Sequence, residues 1–72
     1  MKVKAKPELR KARLHNNWSL EEVAKKISDK KKKYSRQVIN NHESGRTGIK
    51  EHARDQYMLL YGVAWDDLFE IV

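Results

Sequence analysis

The chain has no cysteine, a single proline and three glycines among its 72 residues. Without cysteine no disulfide framework can form, which is typical of proteins of a reducing cytoplasm. Cysteine-based zinc sites are excluded, and the three histidines lack the spacing of metal ligands, so we expect no metal and no other cofactor. No apolar run approaches the roughly 20 residues that a membrane span requires, and none follows the lysine-rich start as in a signal peptide.

Charge is abundant and unevenly distributed. The formal net charge is +6, from 16 Lys and Arg against 10 Asp and Glu. Basic residues crowd 2–13 and 25–36, and such asymmetry favours a polyanionic partner, most often nucleic acid. The alternative is a basic surface that only keeps the protein soluble. The length predicts a single domain over residues 1–72 with a small core, preceded by a flexible basic N-terminus at 1–6.

Helical signals recur along the chain, whereas no alternation of apolar and polar residues is long enough for a strand. Pro7 suits the first position of a helix that ends near residue 16. A capping box that begins at Ser19 starts a second helix with apolar residues at helical spacing. Further helices are expected at about 49–61 and from about Trp65. These signals predict an all-α domain of five helices.

The third of these helices carries most of the functional information. Ser35 is a natural N-cap, and Gly45 can adopt the left-handed conformation that ends a helix. His42 falls on the apolar stripe and is interpreted as a packing residue. Arginine, glutamine and asparagine lie on the other face, and these side chains can form paired hydrogen bonds with guanine or adenine. The pattern predicts a DNA recognition helix, whose base-reading candidates are Arg36, Gln37, Asn40 and Asn41.

Residues 28–33 connect the second and third helices and include four consecutive lysines but no glycine. Lysine is a good helix former, so the second helix can extend into this segment, although adjacent like charges oppose that. We expect an exposed, mobile connection. Two roles for the lysines remain open: contact with DNA phosphates, through Lys31 and Lys32 above all, or a solvated insert without a partner.

The order of these segments resembles the lambdoid repressor and Cro type of helix-turn-helix domain, in the xenobiotic-response-element regulator class. Residues 19–24 look like the family's Ser-Gln-Glu-Glu-Leu-Ala start of helix two, and residues 35–45 like its recognition helix. Residues 62–69 are similar to its Gly-Val-Ser-x-Asp-Glu-Leu-Phe ending, and 9–13 to its first helix. The resemblance implies a five-helix repressor-like fold with a turn enlarged by about five residues.

This resemblance also implies roles for individual residues. It places a partly buried ion pair between Arg13 and Glu43. Leu20 stands where the family commonly has a glutamine that bridges a phosphate and the recognition helix, and Ser44 replaces an asparagine. Phosphate contacts are expected from Ser35, Ser44, Arg46, Thr47 and Lys50. Dimer contacts are expected from Trp65, Phe69 and Val72, although Trp65 can instead complete the core.

We therefore expect a sequence-specific, double-stranded DNA-binding transcriptional regulator of the phage or mobile-element repressor or Cro-like kind. It would bind an inverted-repeat operator as a homodimer in the prokaryotic cytoplasm, associated with the nucleoid. No nucleophile–base pair, glycine-rich phosphate loop or paired carboxylates can be recognised, so we expect no enzyme, small-molecule ligand or membrane partner. The alternative is an antitoxin or adaptor whose main partner is a protein.

Overall fold

The computed structural model describes residues 2–72, which form five helices and two short strands. In chain order the elements are β1 (Val3–Ala5), α1 (Pro7–His15), α2 (Leu20–Ile27), α3 (Arg36–Ser44), α4 (Glu51–Tyr61), α5 (Trp65–Leu68) and β2 (Phe69–Ile71). Helix α2 packs against α3 and α4, while α1 contacts α3 and α5. None of the helices within residues 2–72 has the length and apolar character needed to cross a membrane.

The two strands correct the all-α prediction. They pair antiparallel, with Val3 opposite Ile71, and Lys2 and Val72 exchange backbone hydrogen bonds of 3.2 and 2.9 Å. Residues 3–5 of the N-terminus that we expected to be flexible at 1–6 thus form a paired strand, and residue 1 lies outside the described residues. Each strand has three residues, too few for a period of two to be visible in the sequence.

Local capping explains where α2 and α3 begin and end. The Glu22 amide donates to Ser19 Oγ (3.1 Å) and the Ser19 amide donates to Glu22 Oε1 (3.0 Å), so the predicted capping box is present. Ser35 Oγ accepts a hydrogen bond from the Val38 amide (3.3 Å). Gly45 ends α3 with φ 77°, a left-handed conformation that costs glycine little.

The core lies between the helices and the inner face of β2. Tyr57 and Phe69 are its largest fully buried side chains, and their rings lie 6.3 Å apart. Phe69 is 1% exposed, so the prediction of a dimer contact there is wrong: β2 directs this ring into the chain's own core. Trp65 is half-buried and packs on Phe69 at 5.8 Å, whereas Val72 is exposed.

Candidate nucleic-acid interface

The polar face of α3 presents side chains that carry both donors and acceptors. Arg36 and Gln37 are exposed, and Asn40 and Asn41 are half-buried. Gln37 Nε2 donates to Asn41 Oδ1 at 3.1 Å, so two amides one helical turn apart are oriented together. Such a row of side-chain amides and a guanidinium can pair with base edges, which offer matching donors and acceptors in the major groove.

The opposite face of α3 is packed into the core. Ile39 is fully buried and His42 is buried, with His42 Nδ1 2.9 Å from the Tyr57 hydroxyl oxygen. Burial lowers the pKa of His42 and raises the pKa of Tyr57, so both side chains are held in their neutral forms. The interpretation of His42 as a packing residue is therefore confirmed.

An ion pair joins the end of α3 to α1. Arg13 Nε donates to Glu43 Oε2 (2.8 Å), and its Nη2 donates to Glu43 Oε1 (3.1 Å). Hydrogen bonding to Glu43 raises the pKa of Arg13, and a further bond from Nη1 reaches the Trp18 carbonyl (3.0 Å). The Glu43 side chain is completely buried, so its charge depends on this partner. Arg10 Nε lies 3.5 Å from Glu43 Oε1, a second contact that the sequence did not indicate.

The connection between α2 and α3 is folded, which corrects the prediction of a mobile segment. Asp29 Oδ1 accepts hydrogen bonds from the amides of Lys31 (2.9 Å) and Lys32 (2.8 Å). The Asp29 amide donates to the Lys32 carbonyl (2.8 Å), and Ser28 Oγ accepts from the Tyr34 amide (2.8 Å). The turn contains no glycine, and Asp and Ser side chains stabilise it because they bond to nearby backbone amides.

A side-chain network ties this turn to the first turn of α4. His52 Nε2 donates to the Asp29 carboxylate (2.7 Å), and in the neutral ring Nδ1 accepts from the Tyr34 hydroxyl (2.6 Å). Hydrogen bonding to His52 is the main reason that the pKa of Asp29 is lowered. Burial raises the pKa of Tyr34, which keeps its hydroxyl protonated. No local sequence pattern distinguishes His52 from a surface histidine.

The candidate phosphate-binding residues lie at four places around α3. Ser35 begins the helix, but its hydroxyl already serves as the N-cap. At the other end, Ser44 Oγ donates to the Asn41 carbonyl (3.3 Å), and Arg46 and Thr47 are exposed in the following loop. Lys31 and Lys32 are exposed in the turn. Lys50 is exposed at the N-cap of α4, which has no side-chain cap.

Two residues outside α3, Lys4 and Leu20, make contacts that help to position the helices. Lys4 Nζ donates to the Gly45 carbonyl at 2.8 Å, and an ammonium is favourable at the C-terminal end of a helix. Leu20 is half-buried and packs against the core. The Lys4 contact joins β1 to the end of α3, and the Leu20 contact joins α2 to the core.

No family model, curated protein or solved structure matched this chain. Within residues 2–72, no group of three or more His, Cys, Asp or Glu side chains is arranged to hold a metal ion. The contacts of α3 are therefore the observations on which a function can be proposed.

Proposed function

We propose that the chain is a sequence-specific, double-stranded DNA-binding transcriptional regulator, with α2 and α3 as a helix-turn-helix unit and α3 as the recognition helix. The observation that carries the proposal is the division of α3 into two faces. Gln37 and Asn41 form a joined amide pair on the exposed side, while His42 and Glu43 fix the other side to the core. A helix held this rigidly can present side chains to base edges at little entropic cost.

The positive net charge of the protein favours DNA as a partner over an uncharged molecule. With a net charge of +6, the protein is attracted to the phosphate backbone of any duplex. Backbone attraction is independent of sequence, whereas each good bidentate side-chain contact to a base contributes about 1–3 kcal/mol of discrimination. In this proposal α3 contacts the bases and provides the sequence specificity, whereas the surrounding lysines contact the phosphates.

A homodimer on an inverted repeat completes the proposal. One short helix reads few base pairs, and two copies joined by a protein contact gain affinity from two half-sites. Ile71 and Val72 are 58% and 61% exposed, and Trp65 is half-buried, so apolar surface is available near the C-terminal end. A repressor or Cro-like regulator of a phage or mobile element, in the prokaryotic cytoplasm, fits this description.

One observation favours the second candidate, a module whose main partner is a protein. Leu59 on α4 is 78% exposed, and it adds to the apolar surface available for a partner. An antitoxin or adaptor would use this surface as its principal interface. The two candidates differ in one expectation: a DNA-binding regulator selects a preferred duplex by itself, whereas a protein-binding module does not.

The test is selection of bound duplexes from a random pool by the purified chain, followed by binding to the selected sequence at several salt concentrations. We expect an inverted repeat to emerge. The logarithm of the binding constant should fall with the logarithm of salt by about 0.9 per phosphate contact, with roughly five to eight contacts per dimer. A pool without a preferred sequence, or binding that is indifferent to salt, would contradict the proposal.

A further inference from the structure

A cavity of about 250 Å³ lies between the α2–α3 turn and the start of α4. Three of its lining residues are lysines from two separate segments: Lys32 and Lys33 of the turn, and Lys50 before α4. Val38 and His42 contribute part of the wall. No acidic residue is among its lining residues within the described chain, so the cavity wall holds three basic side chains and no protein counter-charge.

The position of this cavity relative to α3 suggests what it binds. Val38 follows Gln37 directly, so it lies about 100° around the helix from the candidate base reader. His42, which belongs to the packed face of α3, also lines the cavity, so the cavity lies on the flank of the helix, between its exposed face and its packed face. When a helix enters the major groove, the sugar-phosphate backbones border it on both sides. A phosphate is the group that such a helix brings next to its flank.

The network around His52 fixes the part of the wall that the turn supplies. Asp29 is bonded to His52 and to the amides of two turn lysines, and Tyr34, which itself lines the cavity, is bonded to the same imidazole. The backbone that carries Lys32 and Lys33 is thereby held against α4. A preformed site loses less conformational entropy on binding than a mobile loop would.

We propose that this cavity binds a phosphodiester of the DNA backbone beside the major groove, and that His52 is a positioning residue for it. The inference rests on the proposed function and deepens it. It assigns the contact to Lys32, Lys33 and Lys50 together, and it replaces Lys31, which does not line the cavity, with Lys33. Contact here is independent of base sequence and sets the register of α3 on the duplex.

The first experiment compares three single neutralisations, Lys33→Gln, Lys50→Gln and Lys30→Gln, by measuring the affinity for selected and random duplexes across a salt series. Lys30 is the matched control, since it belongs to the same turn and is exposed but does not line the cavity. Lys33→Gln and Lys50→Gln should each flatten the log–log slope by about 0.9 per protomer bound and weaken binding to both duplexes by the same factor. An equal effect of Lys30→Gln would overturn the inference.

The second experiment tests the positioning role. His52→Phe removes both imidazole hydrogen bonds that hold the turn, so the turn should no longer position Lys33 for phosphate contact. The salt slope should then be flattened already, and adding Lys33→Gln to His52→Phe should change it little further. His52→Gln retains a donor for Asp29 and should recover part of the slope. If His52→Phe leaves the slope at its original value, or if the two substitutions flatten it additively, His52 does not position this contact.

A third measurement separates this inference from the proposed function. Inorganic phosphate is added to the full chain without DNA, and the backbone amides are followed by nuclear magnetic resonance. Shifts concentrated at Lys33 and Lys50 support the cavity even if no duplex is bound, in which case only the proposed function fails. Shifts of equal size at Lys30 and Lys25, or none at all, overturn the cavity as a phosphate site while leaving DNA binding through α3 intact.

Discussion

On the side of α3 that faces α1, the completely buried carboxylate of Glu43 is held by two hydrogen bonds from Arg13. On the side that faces α4, His42 meets the Tyr57 hydroxyl, and burial disfavours the charged form of both groups. Both contacts join α3 to another helix at nearly the same level of the helix. One uses a pair of opposite charges and the other uses two neutral polar groups.

The difference determines how each side responds to change. A buried ion pair is costly to break because the remaining charge stays buried without its partner. A neutral hydrogen-bonded pair contributes less, but it is sensitive to pH because a proton can convert the imidazole to a disfavoured charge. We therefore expect α3 to depend on the Arg13 side for stability and on the His42 side for its response to acid.

The largest expected effect is on the charged side. Arg13→Ala or Glu43→Ala should each lower the free energy of unfolding by about 3–5 kcal/mol, because each leaves an uncompensated buried charge. The double substitution should cost much less than the sum of the two. Urea unfolding of all three variants measures this double-mutant cycle.

Arg10→Ala provides the control for that cycle. Its side chain is 51% exposed and reaches the same carboxylate at 3.5 Å, so its loss should cost less than about 1 kcal/mol. If Arg13→Ala and Glu43→Ala are fully additive, the two residues do not act as a pair. The contrast between the two sides of α3 would then disappear.

A smaller effect is expected on the neutral side, and it depends on pH. The pKa of folded His42 lies below the value of about 6.5 that an unfolded histidine has. As pH falls below that value, the unfolded chain gains the proton first, so stability should decrease towards the folded-state pKa and remain level above about 6.5. The free energy of unfolding measured from about pH 8 to pH 5 checks this.

His42→Gln should remove the share of this pH dependence that the buried imidazole contributes. The comparison isolates the buried site from the other titrating groups. A pH profile that is the same for His42→Gln and for the unchanged protein would show that the neutral side has no such role.

The smallest effect concerns how α3 begins. Ser35→Ala should lower the free energy of unfolding by about 1 kcal/mol, since the Val38 amide loses its cap. Ser19→Ala should lower it more, because a reciprocal capping box is lost. Ser44→Ala is the control, since its hydroxyl bonds only to a carbonyl within the same helix. Thermal unfolding measures all three. Equal losses for Ser44→Ala and Ser35→Ala would argue against the cap.

Much of the fold could be predicted from local sequence signals. The capping box at Ser19, the N-cap at Ser35 and the left-handed glycine at 45 each depend on residues within one helical turn, and all three are confirmed. Arg13 and Glu43 are 30 residues apart in sequence, and the family resemblance, not their spacing, predicts their ion pair.

The features that could not be predicted depend on contacts between distant segments. β1 and β2 come from opposite ends of the chain, and three residues are too few to show a strand pattern. His52 lies 23 residues from Asp29, so neither residue indicated the network that folds the turn. The burial of Phe69 depends on β2, and a strand of three residues leaves no pattern in the sequence that would predict it.

The most direct test of DNA reading by α3 is the effect of Gln37→Ala on binding to a selected operator and to random duplex, with Gln56→Ala on α4 as the control. The account predicts that Gln37→Ala weakens operator binding by about 1–3 kcal/mol, while random-duplex affinity and the salt slope stay nearly unchanged. Gln56→Ala should change neither. If Gln37→Ala reduces both affinities by the same factor, α3 does not read the bases.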